Sequence, residues 1–263
     1  LDLSLDALLK REQQAKPFDI DSVFRFIWQG GMPQPQDANN EEHTLYYNSY
    51  VDTYLMRDVA YTGNITDELR FKKFMVACAA NTAGQLNLNH IAAVAEISQP
   101  TAKAWLNILQ RLHLVYLLQP FSNNKFKRLA KTPKLYFTDT GLCAHLTKWL
   151  SSDTLLNGNA AGHYFENFAV MELIKDLEYS SQNYDLTYFR DSNQKEVDLF
   201  LELSGKIHPL EIKLSANPDK REIKKYALLD NNEIPRGEGG IICMNPSAKP
   251  IDALKNIIPV NIL

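Results

Sequence analysis

Residues 195–214 read Lys195-Glu-Val-Asp198-Leu-Phe-Leu-Glu-Leu-Ser-Gly-Lys-Ile-His-Pro-Leu-Glu211-Ile-Lys213-Leu214, and the rest of the chain is arranged around them. Val197, Leu199, Leu201 and Leu203 alternate with Asp198, Phe200 and Glu202, which is the period of a half-buried strand. Ser204-Gly205 is a turn signal. Ile207, Leu210, Ile212 and Leu214 then mark a second strand, whose start Pro209 loosens. A two-residue loop at Ser204-Gly205 pairs Leu203 with Lys206 and sets Asp198 opposite Glu211, within the one-residue latitude that turn type leaves. Glu211 and Lys213 are two apart, so both side chains leave one face. Opposed positions on a face hold their Cβ atoms roughly 5 Å apart, near enough for two carboxylates to share a cation.

Facing carboxylates repel, and each raises the other's pKa. A hard divalent ion such as Mg²⁺ resolves the conflict, because it prefers oxygen ligands and keeps several waters. A lysine two residues on can orient such a water, help deprotonate it, or neutralise charge on a phosphate. The layout resembles the active-site motif of the PD-(D/E)xK, or restriction-endonuclease-like, nucleases, in which an Asp at a strand end and a Glu-x-Lys on the next strand hold the metal. The resemblance implies Asp198 and Glu211 as metal ligands and Lys213 as the catalytic, water-orienting lysine. It also implies an auxiliary acid on the preceding helix, Glu166 in Gly162-His-Tyr-Phe-Glu166-Asn-Phe-Ala-Val170. A Glu-x-Lys in a strand is equally the ordinary pattern of a solvated face with a cross-strand ion pair. The Asp at hairpin spacing and the upstream acid lift it above that background.

At 263 residues and 45% apolar content, the chain can bury the cores of two domains. A formal net charge of −3 gives no general pull on nucleic acid, so any such contact needs a local basic patch. Cys78, Cys143 and Cys243 are scattered and odd in number, as in a reduced cytoplasmic protein, and no His–Cys spacing suits zinc. No apolar run is long enough to cross a bilayer, and no signal peptide is visible, so no membrane partner is expected. The chain opens on Leu1; the expectation is a processed form or the back part of a longer protein.

In chain order, Leu5, Leu8 and Leu9, then Val23, Phe24 and Ile27, carry helical spacing, broken at Gly30-Gly31-Met-Pro. Another helix is predicted over Thr66 to Ala80, with Thr66 as N-cap and Leu69, Phe71, Phe74, Met75 and Cys78 on its apolar face. Two short helices meet at a turn over Glu96 to Ser98, where Ser98 caps the second and Pro100 sits in its first turn. Leu114 to Leu118 would open a wing, which makes this stretch a winged helix. On its second helix Lys103 would face a nucleic-acid groove, but Lys103 and Arg111 are the only charges there, too few for strong phosphate binding. A packing and protein-contact module is the preferred reading. Lys125, Lys127, Arg128, Lys131 and Lys134 form the densest basic run, a candidate DNA-contacting edge or a solvated face.

Several pieces, in order and spacing, look like the C-terminal half of a family of prokaryotic AAA-type ATPases that carries a domain of unknown function after its ATP-binding core. They include Gly30-Gly31-Met-Pro33, Tyr50-Val-Asp-Thr-Tyr-Leu-Met-Arg-Asp58, Leu135-Tyr-Phe-Thr-Asp139-Thr-Gly141-Leu142, Phe165-Glu166, Glu196-Val-Asp198 and Leu210-Glu-Ile-Lys213. The departure is the P-loop: no G-x-x-x-x-G-K-[ST] occurs, so ATP binding is expected only of an intact protein that also contains the ATPase domain.

The expected fold class is α/β (α+β overall), a helical winged-helix region followed by a restriction-endonuclease-like domain. Its parts are a remnant of the ATPase portion over residues 1–45, the winged-helix domain over 46–154 and the nuclease-like domain over 155–263. Two functions compete. One is Mg²⁺-dependent phosphodiester cleavage by the C-terminal domain. The other is a non-catalytic, nuclease-like scaffold and winged helix for protein or DNA binding, with oligomerisation left open.

Overall fold

Helical and strand periods alternate along the chain and give a mixed α/β protein. The computed structural model describes residues 2–33, 38–57, 59, 65, 67–122, 132–180, 182–191, 194–229 and 233–263. The first elements are helices α1 (Leu5–Gln14), α2 (Ile20–Gln29), α3 (Asn40–Ser49) with a π-helical continuation over Tyr50–Leu55, and α4 (Glu68–Ala80). Strand β1 (Gly84–Gln85), helices α5 (Leu88–Val94) and α6 (Gln99–Arg111), and strands β2 (Val115–Pro120) and β3 (Lys134–Phe137) follow. Helices α7 (Thr140–Leu146), α8 (Ser152–Leu156) and α9 (Ala161–Tyr179) lead to strands β4 (Tyr184–Arg190), β5 (Glu196–Leu203) and β6 (Lys206–Lys213). A 3₁₀ helix (Lys220–Leu229), strands β7 (Gly239–Cys243), β8 (Lys249–Asp252) and β9 (Lys255–Pro259) and a last 3₁₀ turn (Val260–Ile262) close the chain. Among the described residues no helix is long and apolar enough to cross a membrane.

The chain divides into two compact units, neither continuous in sequence: residues 1–20, 118–133 and 168–263, and residues 21–117 with 134–167.

The first unit is built on a mixed sheet in the order β2-β4-β5-β6-β7-β9-β8. Its centre is the hairpin. Ser204 (φ 52°) and Gly205 (φ 74°) both take the left-handed region, as a two-residue I′ loop requires, and Leu203 pairs with Lys206. Pairing runs to Leu199↔Leu210 and stops. On the other side, β4 pairs with β5 up to Thr187↔Phe200 and resumes one residue out of step at Phe189↔Val197. Two residues, Asp198 and Leu199, thus stand opposite Tyr188, a bulge that re-aims the side chains around it. Parallel pairing of β6 with β7 begins at Leu210↔Gly240, just past Pro209, which has no N–H to give.

The sequence predicts a half-buried strand, and here the structure differs: Leu199, Phe200 and Leu201 are all buried. The face expected to meet water is covered by the 3₁₀ helix, whose Ile223, Tyr226 and Leu229 join Val197, Phe200, Ile207, Ile241 and Ile257 in one core. Their spacing of three matches the three-residue turn of that helix. Tyr226 Oη donates to the Gly240 carbonyl at 2.8 Å, which pins the helix to the sheet. Helix α1 also belongs to this unit: Glu12 Oε2 accepts from the Ala248 amide at 2.7 Å, and Asn256 Nδ2 donates to the Leu3 carbonyl at 3.1 Å.

In the second unit, Asp67 caps α4 through the Arg70 amide at 3.0 Å, and Thr66, expected as the cap, lies outside the described residues. Leu69, expected on the apolar face, is 68% exposed, while Phe71, Phe74, Met75 and Cys78 are buried as the spacing predicts. Ser98 caps α6 by accepting from the Thr101 amide at 3.2 Å. Strand β1 pairs antiparallel with β3 through Gly84↔Leu135.

The Gly30-Gly31 and Phe137-Thr-Asp139-Thr-Gly141 pieces meet in this unit. Asp139 is buried and accepts three hydrogen bonds, from the Leu142 amide (2.6 Å), the Tyr47 hydroxyl (2.8 Å) and the Gly31 amide (2.8 Å). Gly30 holds φ 77°, and a Cβ there would fall 2.6 Å from an Asp139 oxygen, so the turn admits only glycine.

Candidate functional site

The bulge and the hairpin register bring Asp198, Glu211 and Lys213 to one end of β6. Asp198 Oδ2 accepts the Ile212 amide at 2.8 Å, where the backbone ladder between β5 and β6 has stopped. Glu211 is 1% exposed, and each of its oxygens faces an ammonium group. Lys213 Nζ lies 2.7 Å from Oε1, and Lys225 Nζ from the 3₁₀ helix lies 2.7 Å from Oε2. The Oε2 contact is an ion pair without hydrogen-bond geometry, so this buried oxygen accepts no formed hydrogen bond. Lys225 also approaches Glu222 at 3.7 Å, the i, i+3 neighbour that the 3₁₀ turn stacks beneath it.

Burial pushes the Glu211 carboxyl up to about 7, and nearby Asp198 adds to the rise, against the pull of Lys225 and Lys213. For Lys213, burial favours the neutral amine, but the charges of Glu211 and Asp198 outweigh it and hold the ammonium form above its ordinary range. At neutral pH Lys213 is therefore a cation that donates hydrogen bonds, not a free amine that accepts a proton. Among the described residues, no three His, Cys, Asp or Glu side chains cluster as a metal cage.

Glu166 belongs to the other unit. There its Oε1 accepts from Lys134 Nζ at 2.9 Å and from the Tyr136 hydroxyl at 2.8 Å, and Lys134 is itself buried. Its neighbour Asn167 accepts from the Phe137 amide (2.8 Å) and donates to the Phe137 carbonyl (2.9 Å). Side by side, these two residues bind helix α9 to strand β3. Lys103 is exposed on α6. Lys125, Lys127, Arg128 and Lys131 lie outside the described residues, and Lys134, expected with them on a phosphate-contacting edge, is instead buried against Glu166.

Sequence reasoning missed Lys225. Its signal was available: Ile223, Tyr226 and Leu229, three apart, define an inward face, and Lys225 flanks it. Beside Lys225 opens a cleft of about 380 Å³ lined by Lys195, Arg221, Glu222, Lys224 and Lys225.

With this geometry in place, the comparisons define the class. Residues 20–153 match the family described as Domain of unknown function (DUF8612), and the chain belongs to that family. Residues 161–263, which hold the Asp198–Glu211 pair, match a second description, Domain of unknown function (DUF4143). Two curated relatives, uncharacterized proteins of Mycobacterium bovis and Mycobacterium tuberculosis, are each 28% identical over 206 residues, which is 78% of this chain. The chain spans 46% of the length of either relative. No solved structure matches it.

Proposed function

We propose that the unit carrying Asp198, Glu211 and Lys213 is a metal-dependent phosphodiesterase site acting on nucleic acid. The observation that carries this reading is the convergence of two buried carboxylates, one oxygen of which lacks a formed hydrogen bond, with a permanently charged lysine. That donor set fits a hard divalent ion such as Mg²⁺, which is satisfied by one or two carboxylates plus water and substrate phosphate. When bound, such an ion would supply Lewis-acid polarisation of the phosphoryl group and a more acidic water. Asp198 and Glu211 would hold it. Lys213, as an ammonium, would orient the attacking water and neutralise charge on the phosphate. The water oxygen bonds to phosphorus as the P–O bond to the departing sugar oxygen breaks. The departing sugar oxygen takes up a proton from water. The longer relatives and the match to DUF4143, commonly found C-terminal to AAA ATPase domains, support a setting in which this chain works beside an ATP-binding core.

A second reading has its own support. Ile212 already satisfies Asp198, and two lysines already neutralise Glu211, as in a nuclease-like scaffold that binds partners without cutting. The order β1-α5-α6-β2-β3 behind α4 likewise supports a winged helix in the other unit, read as a contact module.

Cleavage of labelled single- and double-stranded DNA and RNA decides between them, with Mg²⁺ or Mn²⁺ and again with EDTA. The expected result is metal-dependent cutting that Lys213→Ala and Asp198→Asn each lower by about 100-fold or more. Cutting that survives both folded variants would overturn the site. Its absence from the intact protein, ATPase part included, would leave the scaffold reading.

A further inference from the structure

The cleft beside Glu211 takes no part in that chemistry, yet its composition is one-sided. Lys195, Arg221, Lys224 and Lys225 line it against a single acid, Glu222. Lys195 stands just before β5 and is held to Asp191 just after β4: its amide donates to Asp191 Oδ1 at 2.8 Å, and its carbonyl accepts from the Asp191 amide at 3.0 Å. The other three cations come from the 3₁₀ helix that Tyr226 pins to the sheet. Arg221 is held by Asp219, with Nε at 2.8 and 3.0 Å from the two carboxylate oxygens and Nη2 at 2.7 Å, which fixes the guanidinium while leaving its side chain 79% exposed. Lys195 and the 3₁₀ helix are thus both anchored. Lys225 is the link, because it lines the cleft and its ammonium pairs with Glu211.

We propose that this cleft seats the phosphodiester backbone of a nucleic-acid strand, with Lys225 shared between a backbone phosphate and Glu211. The proposal deepens the phosphodiesterase reading by naming the binding subsite, and it rests on that reading for its functional meaning. A chain of net charge −3 has no diffuse basic field, so affinity for a polyanion comes from local clusters such as this one. Cations alone, without aromatic platforms, track the backbone and do not read bases, so little dependence on sequence is expected.

The test is fluorescence anisotropy in EDTA, which removes cleavage from the readout, with labelled oligonucleotides of about 12 nucleotides as single strand and duplex. The double variant Arg221→Ala/Lys224→Ala changes two exposed side chains and keeps the buried face of its helix, and circular dichroism checks its fold. The expected result is affinity about 10-fold lower near 0.1 M salt, with the log K against log salt slope shallower by roughly 1.4 for single strands, as when a protein neutralises about two fewer phosphates. Lys206→Ala, at the opposite end of β6, should leave both affinity and slope unchanged. Equal binding and slope in the double variant would overturn the proposal. So would tight binding of inorganic pyrophosphate without any of the oligonucleotide, which would make the cleft a small-anion site. Binding that obeys these expectations without metal-dependent cutting would keep the subsite and sink only the chemistry.

Discussion

Two buried carboxylates, one in each unit, sit on the sequence pieces that carry the family resemblance, and their surroundings differ in kind. Asp139 is filled by neutral donors, two backbone amides and a tyrosine hydroxyl, all at hydrogen-bond distance. Glu211 is met by two ammonium groups, one of them contributed by the wall of a charged cleft. Backbone amides cannot leave, whereas lysine side chains can swing to another anion. The first arrangement is a fastener; the second is what the proposed site would need.

The sharpest way to break this comparison is to remove Asp139. Asp139→Ala strands the buried Leu142 amide, removes the acceptor of the Gly31 amide and leaves the Tyr47 hydroxyl only the Gln29 carbonyl, and the expected cost is about 3 kcal/mol, a loss readable as a large drop in Tm. Asp139→Asn should cost less, because its oxygen can keep the Leu142 and Tyr47 bonds while its NH₂ confronts only the Gly31 amide. A near-normal Tm in Asp139→Ala would show that the fastener is misread.

Next in size is the pH dependence written into Glu211. Folded Glu211 keeps its proton up to about 7, while the unfolded side chain releases it near 4.5, so between those values the folded state binds more protons. Stability should therefore fall as pH rises from about 4.5 to about 7 and level off above, by ~3 kcal/mol at most. Denaturant titrations across that window check it, and Glu211→Gln should flatten the descent. Lys225→Met sharpens the point: with one stabilising cation gone, the descent should extend to higher pH. A Lys225→Met profile identical to that of the parent would mean Lys225 is not paired with Glu211 in solution.

The smallest effect belongs to the hairpin. Gly205→Ala puts a Cβ on a residue at φ 74°, and the expected loss is about 1 kcal/mol, seen as a shift in the urea midpoint with unchanged m-value.

The hairpin was legible from sequence because its signals are local. Alternation named the strands, Ser204-Gly205 named the loop, and the loop alone set Leu203 against Lys206, hence Asp198 near Glu211. What escaped was tertiary. Nothing in Glu196-Val-Asp198-Leu announces a bulge, since no glycine marks it. Phe200 reads as half-buried because the sequence marks a helix over Asp219 to Leu229 without saying which face of the sheet it covers. Lys225 lies far enough along the chain from Glu211 that only folding pairs them. Glu166 was singled out by its place on a helix, but a helix position does not say which partners it finds, and here they are Lys134 and Tyr136.

With both acids ionised, Asp198 and Glu211 contribute two negative charges and Lys213 and Lys225 two positive ones, so these four side chains sum to zero. A neutral cluster has little appetite for a lone divalent cation, which would strand excess positive charge, or for a lone phosphate, which would strand the reverse. It favours the two arriving together. On the proposed metal-site reading, thermodynamic reciprocity demands that each raise the affinity of the other by the same factor, and the cluster would work as a coincidence detector for a cation and an anion.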